Sequence, residues 1–299
     1  MEAQPRFDDD IDEFLDTLAA ERGASGNTVA AYANDLRKAA RFFASLGLRE
    51  WADLQAEHFL RYQVSNGPPL QPATMRRRTS SLRSFLKYLK KNGRGPQAEL
   101  PTIKGARAPK RLPKALSLNE LASLLKSPDV TTPEGLRDRA LMELVYGTGL
   151  RISEAVGLRM EELDLDSAAF RVTGKRGKTR WLPLPRYTIP WLERYIEEAR
   201  PKLLRRPMAE LFVSTRGNRL SRQNAYMSLQ KHVRAAGIKR KVGPHALRHT
   251  YAVHLLKGGA DLRAVQELLG HASINTTQVY TKLDMDEVAT RYRKAHPRG

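Results

Sequence analysis

Six residues in the second half of the chain have the types and spacing for phosphoryl chemistry. Arg151 follows the break Gly147-Thr-Gly149, and Arg248 lies three residues after His245 in His245-Ala-Leu-Arg248-His249. His271 follows Gly270, Tyr280 stands nine residues beyond it, and Lys175 falls in the run Gly174-Lys-Arg-Gly-Lys178. A phosphodiester gains negative charge on its non-bridging oxygens in the transition state. Two guanidiniums can hold those oxygens in bidentate fashion without a metal. A tyrosine hydroxyl, with a pKa of about 10, becomes a nucleophile when a base or nearby cations assist it. A lysine can protonate the departing alkoxide. Residues three apart on a helix share a face, so His245 and Arg248 can address one ligand, and a helix N-terminus favours an anion.

Each residue also has a plainer reading. Arg151 can cap a helix or pair with Glu154. Lys175 at a turn can be solvated, and His245 can be an ordinary first-turn residue. His271 suits a helix C-terminus, where the dipole favours a cation. Tyr280 is one of ten tyrosines, most of which would be packing. His245 and His271 also suit a metal, but no nearby carboxylate or cysteine completes such a site. The 299 residues contain no cysteine, which excludes a thiol nucleophile, a disulfide scaffold and Cys-ligated zinc or iron–sulfur. HExxH, GxxxxGK[ST] and GxGxxG are absent, so the common metalloprotease, P-loop and dinucleotide readings lose support.

The elements that must position these residues form a mixed second half. The capping box Ser117-Leu-Asn-Glu120 opens it. An apolar helix spans Asp138–Tyr146, and Gly147 and Gly149 end it. Phe170–Thr173 and Thr179–Leu184 read as strands joined by the Gly174–Lys178 turn. Helices are expected near Tyr187–Ala199, Ser221–Ala236, Pro244–Leu256, Asp261–Leu269 and Asp284–Lys294. The first hundred residues show helical periodicity instead. One helix covers Asp9–Leu18; a second, capped by Ser25 or Asn27, ends at Gly47. A third covers Ala56–Val64 and a fourth Pro72–Lys91, which together make a small bundle. Gly93–Lys114, rich in proline, glycine and basic residues, reads as an extended linker.

Charge points to the partner. The chain carries 52 Lys and Arg against 32 Asp and Glu, a net +20, which suits a polyanion and nucleic acid first. Residues 1–60 hold six basic against twelve acidic residues, whereas residues 61–108 hold eleven against one, Glu99. The basic side of the Pro72–Lys91 helix, with Arg76, Arg77 and Arg83, is the expected DNA contact. The start of the chain lacks the basic and apolar regions of a secretory signal, and no run suits a membrane span. A cytoplasmic protein without membrane association is therefore expected.

The motifs then resemble a known family. Gly147–Leu158 (GTGLRISEAVGL), His245–Leu256 (HALRHTYAVHLL) and Leu269–Thr281 (LGHASINTTQVYT) look like the signature blocks of the tyrosine recombinases. Gly174–Lys178 looks like that family's catalytic-lysine turn. The whole chain resembles Xer-type site-specific recombinases. Ala295–Arg298 and Leu136–Ala140 are similar to their XerC branch.

The resemblance implies a mainly α fold with a small β component. It would comprise an N-terminal four-helix DNA-binding bundle (1–93), a basic linker (94–116) and an α+β catalytic domain (117–299). Arg151 and Arg248 would hold the scissile phosphate. Lys175, or Lys178 in the same turn, would be the general acid. His245 would assist deprotonation, His271 would support the phosphate and nucleophile, and Tyr280 would form a 3′-phosphotyrosyl link. Lys282 stands where many relatives have His. No cofactor or metal is implied. The implied partners are duplex DNA gripped between the two domains, a tetramer, a second Xer recombinase, and a septal DNA translocase as activator. Chromosome-dimer resolution at cell division would be the task. The alternatives are a phage or transposon integrase, or a non-catalytic DNA-binding regulator of the same fold.

Overall fold

A computed structural model describes residues 7–20, 24–65, 72–99, 101, 115–173, 179–269 and 296–297. The chain divides into two compact units, Met1–Lys110 and Arg111–Gly299.

The first unit is helical: α1 (Phe7–Ala20), α2 (Gly26–Ser45), α3 (Ala56–Ser65) and α4 (Pro72–Lys91). Asp8, Asp9 and Asp10 in the first turn of α1 complement the helix dipole. Ser25 is the cap of α2 and accepts from the Thr28 N–H at 3.3 Å. Gly47 follows α2 at φ +86°, a conformation a side chain would resist. The core is aromatic. Trp51 packs edge-on against Phe7 and Phe85 at 4.9 Å each, and its indole N–H donates to the Phe7 carbonyl. Leu82, Phe85, Leu86 and Leu89 give α4 its buried side, as its spacing predicts.

The second unit opens with α5 (Leu118–Lys126), on the predicted Ser117–Glu120 capping box. At its centre lies α6 (Pro133–Thr148), buried from Gly135 onward. The sequence expectation took the core of this helix as apolar, yet Arg137, Asp138, Arg139 and Glu143 are all buried on it. They survive burial as pairs. Arg139 donates to Glu143 at 2.6 Å and Arg137 to Asp138 at 2.8 Å. The Arg139 guanidinium also lies 4.1 Å from the centre of the Trp191 ring.

Next come the short α7 (Ile152–Ala155) and an antiparallel sheet of β1 (Leu163–Asp164), β2 (Ala169–Thr173) and β3 (Thr179–Pro183), in that order. Strand β1 was not foreseen; at two residues it is too short for a periodic signal. The helix expected near Tyr187–Ala199 is α8 (Ile189–Arg194), continued by a wide π-type turn at Tyr195–Ala199 and by α9 (Arg200–Leu203). Pro201, which has no N–H to donate, follows that wide turn. Helices α10 (Arg222–Ala235), α11 (Pro244–Lys257) and α12 (Leu262–Leu269) complete the described part. The helix expected at Asp284–Lys294 lies outside the described residues. Mainly helical with one small sheet is thus the observed class. Among the described residues no helix is long and apolar enough to cross a membrane.

Candidate active site

The site begins where α6 ends. Gly149 adopts φ +65°, and its N–H closes the helix on the Val145 carbonyl at 3.0 Å. A Cβ there would stand 2.5 Å from the Tyr251 ring, so both backbone and space demand glycine. The bend turns the Gly149 carbonyl to Arg248, whose Nη1 donates to it at 2.6 Å. Arg248 Nη2 donates to the carbonyl of Leu269 at the end of α12. One guanidinium therefore ties together α11, the glycine break and the end of α12.

Arg248 is only 7% exposed, and among the described residues it has no carboxylate partner. Burial pushes its pKa down to about 10, and the positive charges of Arg151 and Arg180 push the same way; Glu154 opposes them. It remains charged at neutral pH.

Arg151 caps α7 from outside. Its backbone N–H donates to Glu154 Oε2 at 2.8 Å and its Nη1 to Oε1 at 3.1 Å. The plainer sequence reading, capping and pairing with Glu154, therefore holds. It does not use up the residue, whose side chain is 43% exposed. Arg180 on β3 reaches the same Glu154 Oε1 at 3.4 Å. Two guanidiniums thus share one carboxylate, with the charge of Arg248 close enough to feel all three. That arrangement is costly without an anion and complementary to one that gains charge during reaction.

His245 is exposed in the first turn of α11, three residues before Arg248 and on its face of the helix. The structure therefore brings Arg151 and Arg248 to one site. Lys175, Lys178, His271 and Tyr280 lie outside the described residues.

Comparison with known proteins decides the family. Residues 114–287 match the Phage integrase family, and residues 11–93 match its N-terminal SAM-like domain. The chain belongs to the phage integrase family. Within it, this is a site-specific tyrosine recombinase of Xer type. A tyrosine recombinase XerC from Pelotomaculum thermopropionicum is 40% identical over 97% of this chain and 98% of that protein. A tyrosine recombinase XerD from Pseudomonas aeruginosa is 41% identical over 97% of each. The two branches match the recombinase equally well. In structure it is similar to a XerH site-specific recombinase bound to its difH substrate before cleavage. The TM-score is 0.70 at 25% identity, covering 90% of this chain and 81% of that one.

The candidate DNA contacts of the recombinase differ from one another. Arg76 is exposed and has no ion pair among the described residues. Arg77 pairs with the buried Asp35, and Arg83 donates to the Pro101 carbonyl at 2.9 Å beside the Phe59 ring. Sequence reasoning assigned no role to Arg180. The available signal was a charged residue in phase with Leu182, on the buried face of a strand.

Proposed function

We propose that this recombinase cuts and rejoins duplex DNA through a 3′-phosphotyrosyl intermediate, with Arg151 and Arg248 holding the scissile phosphate. The observation that carries this is the charge of Arg248, buried on two carbonyls with no carboxylate among the described residues, beside the half-exposed Arg151. The Tyr280 hydroxyl attacks phosphorus and loses its proton with help from His245. The 5′-oxygen leaves with a proton from Lys175, or from Lys178 in the same turn, and His271 supports the phosphate and the nucleophile. Attack by the 5′-hydroxyl of another strand reverses these steps, so the phosphodiester energy is conserved.

The bundle (1–93), a basic linker (94–116) and the catalytic domain (117–299) would grip the duplex from two sides. A net charge of +20 supports that partner. Four protomers would act on two DNA sites, alone or with a second Xer recombinase, under a septal DNA translocase. The task would be resolving chromosome dimers in the cytoplasm at cell division. The λ integrase tetramer bound to a Holliday junction shares this fold at 18% identity and TM-score 0.66.

The test is Tyr280→Phe, which removes one oxygen and almost no volume. On a nicked suicide substrate the wild type is expected to leave a protein–DNA adduct in a denaturing gel, and the variant none. An adduct from the variant at wild-type yield would rule out Tyr280 as the nucleophile.

A further inference from the structure

Arg180 shares Glu154 with Arg151, although none of the six expected roles includes it. In the sheet, Phe170 pairs with Leu182 and Val172 with Arg180. Phe170, Val172 and Leu182 are buried, whereas Thr179 and Trp181 are exposed. Alternation along β3 therefore sends Arg180 to the core face, at its edge, toward Glu154. A guanidinium on that face needs a partner, and the one it has is poor. Nη2 stands 3.4 Å from Glu154 Oε1, at the limit of a hydrogen bond, and the buried Nε has no partner among the described residues.

Glu154 gives its better geometry to Arg151, at 2.8 and 3.1 Å. A structural ion pair would be short and exclusive, and this one is neither. Glu154 neutralises one of the three guanidiniums and Arg248 is held by carbonyls, so two positive charges are left in excess. A phosphodiester carries one negative charge at rest and approaches two in the transition state.

We infer that Arg180 is a third phosphate-facing guanidinium, restoring the positive charge that Glu154 takes from Arg151 and turning its free N–H groups to the phosphate when DNA enters. The inference rests on the phosphotyrosyl reading above.

The experiment is single-turnover adduct formation on the nicked duplex, with either a normal phosphodiester or a methylphosphonate at the scissile position. The methylphosphonate lacks the charge of one non-bridging oxygen. Arg180→Met should form adduct about tenfold more slowly or worse on the phosphodiester, with unchanged affinity for the uncut duplex. Arg180→Lys, which keeps the charge, should stay within about threefold of wild type. On the methylphosphonate the Arg180→Met deficit should shrink to about threefold or less. Arg180→Gln gives the same comparison if methionine disturbs folding, judged by thermal melting.

Wild-type speed in Arg180→Met would overturn the inference. So would an Arg180→Lys as slow as Arg180→Met, or an equal deficit on both substrates, which would make Arg180 a positioning residue for Glu154. A wild type that forms no adduct overturns the phosphotyrosyl reading and this one together. A wild-type adduct with a full-speed Arg180→Met overturns this one alone.

Discussion

The Asp35 cluster of the N-terminal bundle and Arg248 of the catalytic unit treat arginine charge in opposite ways. In the bundle, Asp35 is 1% exposed and draws in Arg77 and Arg78 from α4, with Ser81 as a further donor. In the catalytic unit Arg248 is nearly as buried, yet among the described residues it is held by carbonyl oxygens and no carboxylate. The other buried arginines of that unit among the described residues, Arg137 and Arg139, have Asp138 and Glu143. A carboxylate beside an arginine cancels its field, whereas carbonyl dipoles orient it and leave its charge for a ligand. Where an arginine is buried therefore says less about function than what neutralises it.

The sharpest way to break the comparison is to remove each kind of arginine. Arg248→Ala should slow adduct formation about 10²–10³-fold, the cost of losing a preorganised donor to developing charge. It should also lower stability, because two buried carbonyls lose their donor. Single-turnover cleavage by folded protein separates the two effects. A variant that is destabilised yet cleaves at wild-type rate would make Arg248 a structural brace.

Arg77→Ala tests the other side. It leaves Asp35 buried with Ser81 and the more distant Arg78, so the DNA-free protein should lose about 1–3 kcal/mol in urea denaturation. Asp35→Asn added to Arg77→Ala should recover part of that loss, because the orphaned charge is gone. A double variant less stable than the single one would mean that Asp35 has another function.

A smaller effect comes from Arg76, exposed on the same helix without such a partner. Arg76→Ala should leave stability within about 0.5 kcal/mol and lower the log–log salt slope of DNA binding by ~0.9 if it contacts one phosphate. An unchanged slope would turn that face of α4 away from DNA.

Much of the fold was readable in the chain, as was the nearness of Arg151 and Arg248, and the unread part has a physical cause. Helix α4 follows its apolar spacing, and Ser117–Glu120 caps α5 as its residue types require. Of the expected Gly147-Thr-Gly149 break preceding Arg151, Gly149 leaves the helix at φ +65°, a conformation that favours glycine, whereas Gly147 remains within α6. Composition cannot show which cation is neutralised. Arg76 and Arg77 are neighbours of one type, and only tertiary structure brings Asp35, more than forty positions earlier, to one of them. The Gly149 carbonyl that orients Arg248 is a backbone atom and leaves no mark on residue type. Arg180 had a weak signal in its strand phase, but a five-residue strand gives too few turns of the pattern to stand out.

His254 offers a third treatment of a buried base, which is to shed the proton. It lies on α11 one turn beyond Tyr251, and its Nε2 faces the Leu116 carbonyl at 2.9 Å. A carbonyl only accepts, so Nε2 carries the hydrogen and Nδ1 accepts from the Tyr146 hydroxyl at 3.0 Å. Burial holds the pKa of His254 below its usual 6.5. The charge of Lys257 acts in the same direction and the Leu116 carbonyl opposes both. The unfolded chain therefore takes up this proton at a higher pH than the folded one. Stability from His254 is complete above about pH 6.5 and declines as pH falls from there toward the lower folded pKa. The lowered carboxylate of Asp138 acts in a more acid window, below its ordinary 3.8, so the two are separable. Urea midpoints taken from about pH 7.5 down to about pH 5.5 should fall more steeply in the wild type than in His254→Gln, which cannot titrate. Equal slopes would mean that His254 takes up its proton at the same pH in the folded and unfolded chain.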